Sequence, residues 1–127
     1  GLIRQLDRLR VNVVFLHCYP FHRDAAYLSS VYGNVYFDVG SALHYHGPSS
    51  ARLLAEAMEV APFSKLLFSS DAFGLAEQYH LGAMLFRRAL QQVLDEWIEA
   101  EHCDATTAEG IAVGIARGNA LRIYPIS

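Results

Sequence analysis

Two apolar segments end in residues able to do acid–base or metal chemistry. His17 follows Val13-Val14-Phe15-Leu16. An imidazole there can ligate a metal through one nitrogen or shuttle a proton near neutral pH. The competing reading is a ring held by backbone hydrogen bonds at a strand end. Asp71 follows Leu66-Leu67-Phe68-Ser69-Ser70. Its carboxylate can bind a metal and take a proton from a bound water. The competing reading is a helix cap, a position Asp fills well.

Other candidates carry less chemistry. His22 and Arg23 follow Pro20 and can grip an anionic substrate group, since guanidinium holds a carboxylate through paired hydrogen bonds. A solvated first helical turn explains them equally well. His44-x-His46 has a spacing seen in metal sites, but Gly40-Ser41 and Gly47-Pro48 flank it, so a loop is expected and ligation is not. Asp38 sits in an apolar strand, either facing a site or bonding to the next loop. Cys18 reads as a small buried hydrophobe. Cys103 lacks a nucleophile's surroundings. His80 and His102 read as helix-surface residues. No Gly-rich phosphate loop and no Gly-x-Ser-x-Gly elbow occur, which removes the support for nucleotide binding and for a serine hydrolase.

The elements that must position these groups follow from apolar periodicity. Leu2, Ile3, Leu6 and Leu9 have helical spacing. Residues 11–16 form a β-branched run suited to a strand buried on both faces, as in a parallel sheet. A short helix is predicted over Asp24 to Tyr32, and a second strand over Val35 to Val39. A polar loop is predicted from Ser41 to Ser50, then a helix capped by Ser49 or Ser50 and running to about residue 60. Leu66 to Ser70 is the third predicted strand. The tail is helical: Leu75 to about Glu101, Ala105 to Ala116, and a last turn before Pro125. The alternation strand–helix–strand–helix–strand–helix predicts an α/β fold with three parallel strands. In such sheets sites gather at the carboxyl ends of the strands, where His17, Asp38 to Ser41 and Ser69 to Asp71 lie.

Composition limits the possible functions. The 127 residues fit one domain. With 53% hydrophobic and 18% charged residues, disorder is excluded as the main state. A net charge of -3 leaves no basic excess for a phosphate backbone, so no nucleic-acid partner is expected. No apolar run reaches the roughly 20 residues of a membrane helix, and no membrane partner is expected. The two cysteines make no secreted disulfide framework, so a reduced, cytoplasmic setting is expected. No signal peptide is visible. The chain opens Gly1-Leu2-Ile3 without Met, and a start further upstream is expected.

Four segments together resemble one family: Val13 to Pro20, Asn34 to Asp38, Lys65 to Ala72 and Gly118 to Tyr124. They are similar to the carboxyl-terminal part of the amidohydrolase-related metal-dependent hydrolases. The subgroup they most resemble is the amidohydrolase domain fused to glutamine synthetase-like domains. The resemblance covers nearly all of residues 1–127 and implies a (β/α)8, or TIM, barrel whose sixth, seventh and eighth strands match the three strands here. His17 would match a sixth-strand histidine that ligates metal or contacts substrate. Asp71 would match the eighth-strand aspartate, which binds the metal and serves as general base. A divalent cation, with zinc as the expected ion, and a small-molecule substrate are implied.

The chain departs from that pattern in lacking the first-strand histidine pair and the fourth- and fifth-strand contributions. A barrel takes about 250 residues, and a zinc shell needs roughly three or four protein ligands, of which only His17 and Asp71 can be assigned. The chain is therefore expected to be inactive alone. Its unpaired strand edges are expected to drive self-association or completion by the remaining barrel. The rival reading is a non-catalytic α/β assembly module, possibly docking on a glutamine synthetase-like partner. A flavodoxin-like domain ranks below both, since no phosphate-cradling loop follows the first strand.

Overall fold

A computed structural model describes residues 1–124; Pro125, expected to close the last turn, lies outside the described residues. Helix α1 (Leu2–Arg8) leads to strand β1 (Val13–Phe15), helix α2 (His22–Val31) and strand β2 (Val35–Phe37). Helices α3 (Ala42–His46) and α4 (Ser50–Met58) follow, then α5 (Ala76–Glu99), α6 (Ala105–Val113) and α7 (Asn119–Ile123).

Strands β1 and β2 pair in parallel, with Val13 opposite Val35 and Phe15 opposite Phe37. The core lies on β2. Val35 and Phe37 are fully buried, and burial of a Phe side chain contributes about 2–3 kcal/mol. Around them α2 places Ala25 and Ala26, α4 places Leu53, Leu54 and Ala57, and α5 places Phe86, Ala89, Leu90 and Val93. These α5 positions recur at helical spacing, which is why a long amphipathic helix forms there.

Four expectations need correction. The third predicted strand, Leu66 to Ser70, shrinks to a single parallel bridge between Leu66 and Phe37. Leu67 N–H still donates to Phe37 O at 2.9 Å, but Phe68 N–H donates to Ile115 O at 3.2 Å. The Asn119 amide takes Leu66 O at 2.8 Å. Helical groups thus hold the far side of this segment, so the ladder stops. The predicted loop at residues 41–50 instead contains α3, anchored by buried Ala42 and Leu43 and broken at Gly47, whose φ is +47°. Ser50 does not cap α4; its hydroxyl donates to Leu43 O at 3.2 Å. Finally, β1 is only half-buried rather than covered on both faces, and α1 buries none of its residues.

Candidate metal and acid–base site

The segments that follow β1, β2 and the Leu66 bridge supply the site. His17 follows β1 and adopts φ +57°. Asp38 directly follows β2. Asp71 follows the Leu66 bridge and adopts φ +52°. A left-handed backbone at a residue other than glycine is uncommon, and such strain concentrates at functional sites.

His17 and Asp71 meet at one rim. Nε2 of His17 lies 3.3 Å from Oδ1 of Asp71, and their side chains are 42% and 40% exposed. An imidazole and a carboxylate thus face one accessible space. Asp71 is not a helix cap, because α5 begins at Ala76 with Leu75 before it.

Asp38 stands beneath this pair, buried. Its Oδ1 accepts the backbone N–H of His17 at 3.0 Å and lies 4.0 Å from the His17 ring Nδ1. Burial pushes the Asp38 carboxyl above the usual carboxylate range, against the pull of the His17 N–H and ring. The Asp38 carbonyl also accepts Cys18 N–H at 3.1 Å. Cys18 Sγ donates to Phe15 O at 3.4 Å, and burial, aided by the Asp38 charge, pushes the thiol up to about 11. Cys18 therefore stays a thiol near neutral pH and is no nucleophile.

Gly40 closes the cradle. A Cβ there would sit 2.5 Å from His17 Nδ1, 3.0 Å from Asp38 Oδ1 and 3.4 Å from Asp71 Cβ, and the φ is +30°. Only a residue without a side chain lets the three groups approach this closely.

The other candidates lie elsewhere. His22 is buried on α2, and its Nε2 bonds Glu56 Oε2 on α4 at 2.8 Å. Arg23 reaches Glu56 at 3.6 Å and Glu59 at 3.4 Å. These contacts tie α2 to α4, and the hydrogen bond from His22 holds the Glu56 carboxyl below its ordinary range. His46 packs edge-on against the Tyr19 ring, 4.6 Å between centroids. His44 Nε2 bonds the Ser70 carbonyl at 3.2 Å. His80 and His102 are exposed, and Cys103 is half-buried. Sequence reasoning missed Gly40 as a cradle and Glu56 as the partner of His22. A glycine directly after an acid-bearing strand was the available signal for the first; for the second there was none, since the pairing spans 34 residues.

Imidazole nitrogen and carboxylate oxygen are the donors a zinc-type ion takes. His17 and Asp71 fit one corner of such a shell. Among the described residues, no group of three or more His, Cys, Asp or Glu could surround one ion.

A family model described as Amidohydrolase matches residues 2–126. The chain belongs to the amidohydrolase family. Among relatives, this amidohydrolase chain is 32% identical to Protein fluG of Emericella nidulans over 119 residues, which is 92% of the chain and 14% of fluG. It superposes with TM-score 0.87 and 32% identity on a crystal structure described as a metal-dependent hydrolase from Lactobacillus casei, over 97% of this chain and 32% of that one. The chain thus spans a small part of either relative. The α/β architecture fits a piece of that hydrolase fold. No helix among the described residues is long and apolar enough to cross a membrane.

Proposed function

We propose that these residues form the carboxyl-terminal part of a metal-dependent hydrolase barrel that cleaves C–N bonds of a small molecule, or runs a related decarboxylation. The observation carrying this reading is the 3.3 Å approach of His17 Nε2 to Asp71 Oδ1 at an open rim. His17 and Asp71 would hold a divalent ion, zinc being the best chemical match, with further ligands supplied by barrel segments other than these residues. When bound, that ion lowers the pKa of water and polarises the substrate carbonyl.

The chain's own residues then do the following. Asp71, through its carboxylate, takes a proton from the water that adds to the carbonyl carbon. It returns that proton to the leaving nitrogen as the C–N bond breaks, so it ends the cycle ionised. Asp38 holds the backbone of His17 through its N–H. Its ring presents Nε2 to the site. Without the first-strand histidine pair these residues do not hydrolyse substrate alone.

The same reading covers the exposed apolar surface near β1, where Leu2, Leu9, Val11 and Leu16 are more than two-fifths exposed. Neighbouring barrel segments would cover it in the whole protein, and self-association would cover it in the isolated chain. Sedimentation should show the isolated chain associating with rising concentration; a stable monomer at high concentration contradicts this.

In the protein that carries these residues, Asp71→Asn should lower amide hydrolysis by about 10²–10⁴-fold with folding intact. Undiminished turnover would refute the base assignment.

A further inference from the structure

The segment Ser69 to Ala72 carries the proposed base but has few ties to the rest of the fold. Ser69 Oγ accepts Asp71 N–H and Ser70 Oγ accepts Ala72 N–H, each at 3.2 Å. Both are local bonds. Apart from the His17 contact, one long-range polar contact reaches this segment among the described residues: Nε2 of His44, on α3, with the Ser70 carbonyl at 3.2 Å. A carbonyl only accepts, so His44 Nε2 carries the hydrogen.

Helix α5 packs closely on Ser70 beside His44. Gly82 lies on α5, and a Cβ there would meet Ser70 Cβ at 2.6 Å, His44 Nε2 at 3.1 Å and Ser70 Cα at 3.3 Å. Glycine inside a helix costs about 1 kcal/mol relative to alanine, and here it allows the helix to close on Ser70. The peptide so gripped immediately precedes Asp71, whose φ of +52° needs outside support. A rotation at Ser70 swings the Asp71 carboxylate away from His17.

We infer that His44 and Gly82 form a clamp on Ser70 that sets the position of Asp71 against His17, making His44 a positioning residue. The functional weight of this inference rests on the role proposed for Asp71. In this arrangement His44 Nε2 is committed to the Ser70 carbonyl and is not free to bind a metal.

Nuclear magnetic resonance on the isotope-labelled protein that carries these residues tests it with His44→Leu, His44→Gln and Gly82→Ala. His44→Leu should speed amide exchange at residues 69–72 about tenfold and move the His17 ring nitrogen signals, with β2 amides unchanged. His44→Gln retains a donor and should return both readouts toward wild type. Gly82→Ala should move the same His17 signals with His44 intact. Folded His44→Leu and Gly82→Ala proteins with wild-type exchange and wild-type His17 signals overturn the clamp. If His44→Leu fails to fold, the other two variants decide: an unmoved His17 signal in Gly82→Ala overturns it. Loss of the Asp71 role would appear separately, as turnover surviving Asp71→Asn while these signals still move.

Discussion

The carboxylate of Asp38 accepts the backbone N–H of His17 across 3.0 Å, joining the ends of β1 and β2 directly under the site. This bond holds the left-handed backbone of His17, from which the ring reaches Asp71 at 3.3 Å. A buried acid thus acts as a strut beneath the two more exposed groups proposed to do the chemistry.

The close approach at Gly40 gives the first prediction. Gly40→Ala introduces a methyl group 2.5 Å from His17 Nδ1 on a backbone of φ +30°. The variant should lose about 1–3 kcal/mol in urea unfolding. Its His17 ring signals should shift at the same time. Wild-type stability with unmoved His17 signals would show that the cradle tolerates a side chain.

The tie between α2 and α4 should be acid-sensitive. Glu56 is held below its ordinary value of 4.5, first by the His22 hydrogen bond. A depressed carboxyl pKa contributes stability that is fully present above the unfolded value and is lost as pH falls through the folded one. Glu56→Gln should therefore cost about 1 kcal/mol at neutral pH, and its gap from wild type should close on acidification below the carboxylate range. Urea midpoints across pH check this; a gap that stays constant with pH contradicts it.

Asn119 should be costly to replace. It is buried, and its amide donates to Phe63 O at 2.7 Å and Leu66 O at 2.8 Å while its oxygen accepts from Arg122 at 2.9 Å. Asn119→Ala should lose about 2–4 kcal/mol by chemical denaturation. Asn119→Asp keeps the shape and the acceptor but not the donors, and should be no better. An aspartate variant as stable as wild type would show that the two carbonyls do not need this amide.

The alternation of strands and helices was legible because apolar runs and helical periodicity are local signals. Val35 to Phe37 and the Leu85, Ala89, Val93 stripe of α5 show it directly. The third strand was over-read because Leu66 to Phe68 has strand composition, yet its pairing depends on Asn119 and Ile115, some fifty residues away. Helix α3 was missed because one turn between two glycines has the composition of a loop; it forms because Ala42 and Leu43 are buried by distant partners. At the site, His17 and Asp71 stood out because each follows an apolar run. Their separation, the strut from Asp38 and the clamp at Ser70 are tertiary facts with no local signature. His22 and Arg23 look like substrate contacts by residue type, but here they reach Glu56 and Glu59.

In the proposed site His17 and Asp71 hold one divalent ion. The most direct measurement is anomalous diffraction at the zinc absorption edge, from crystals of the protein that carries these residues, grown with zinc. A single strong peak is expected at about 2.0–2.2 Å from both His17 Nε2 and an Asp71 carboxylate oxygen. Zinc bound elsewhere in the protein, with no peak between these two side chains, would contradict it.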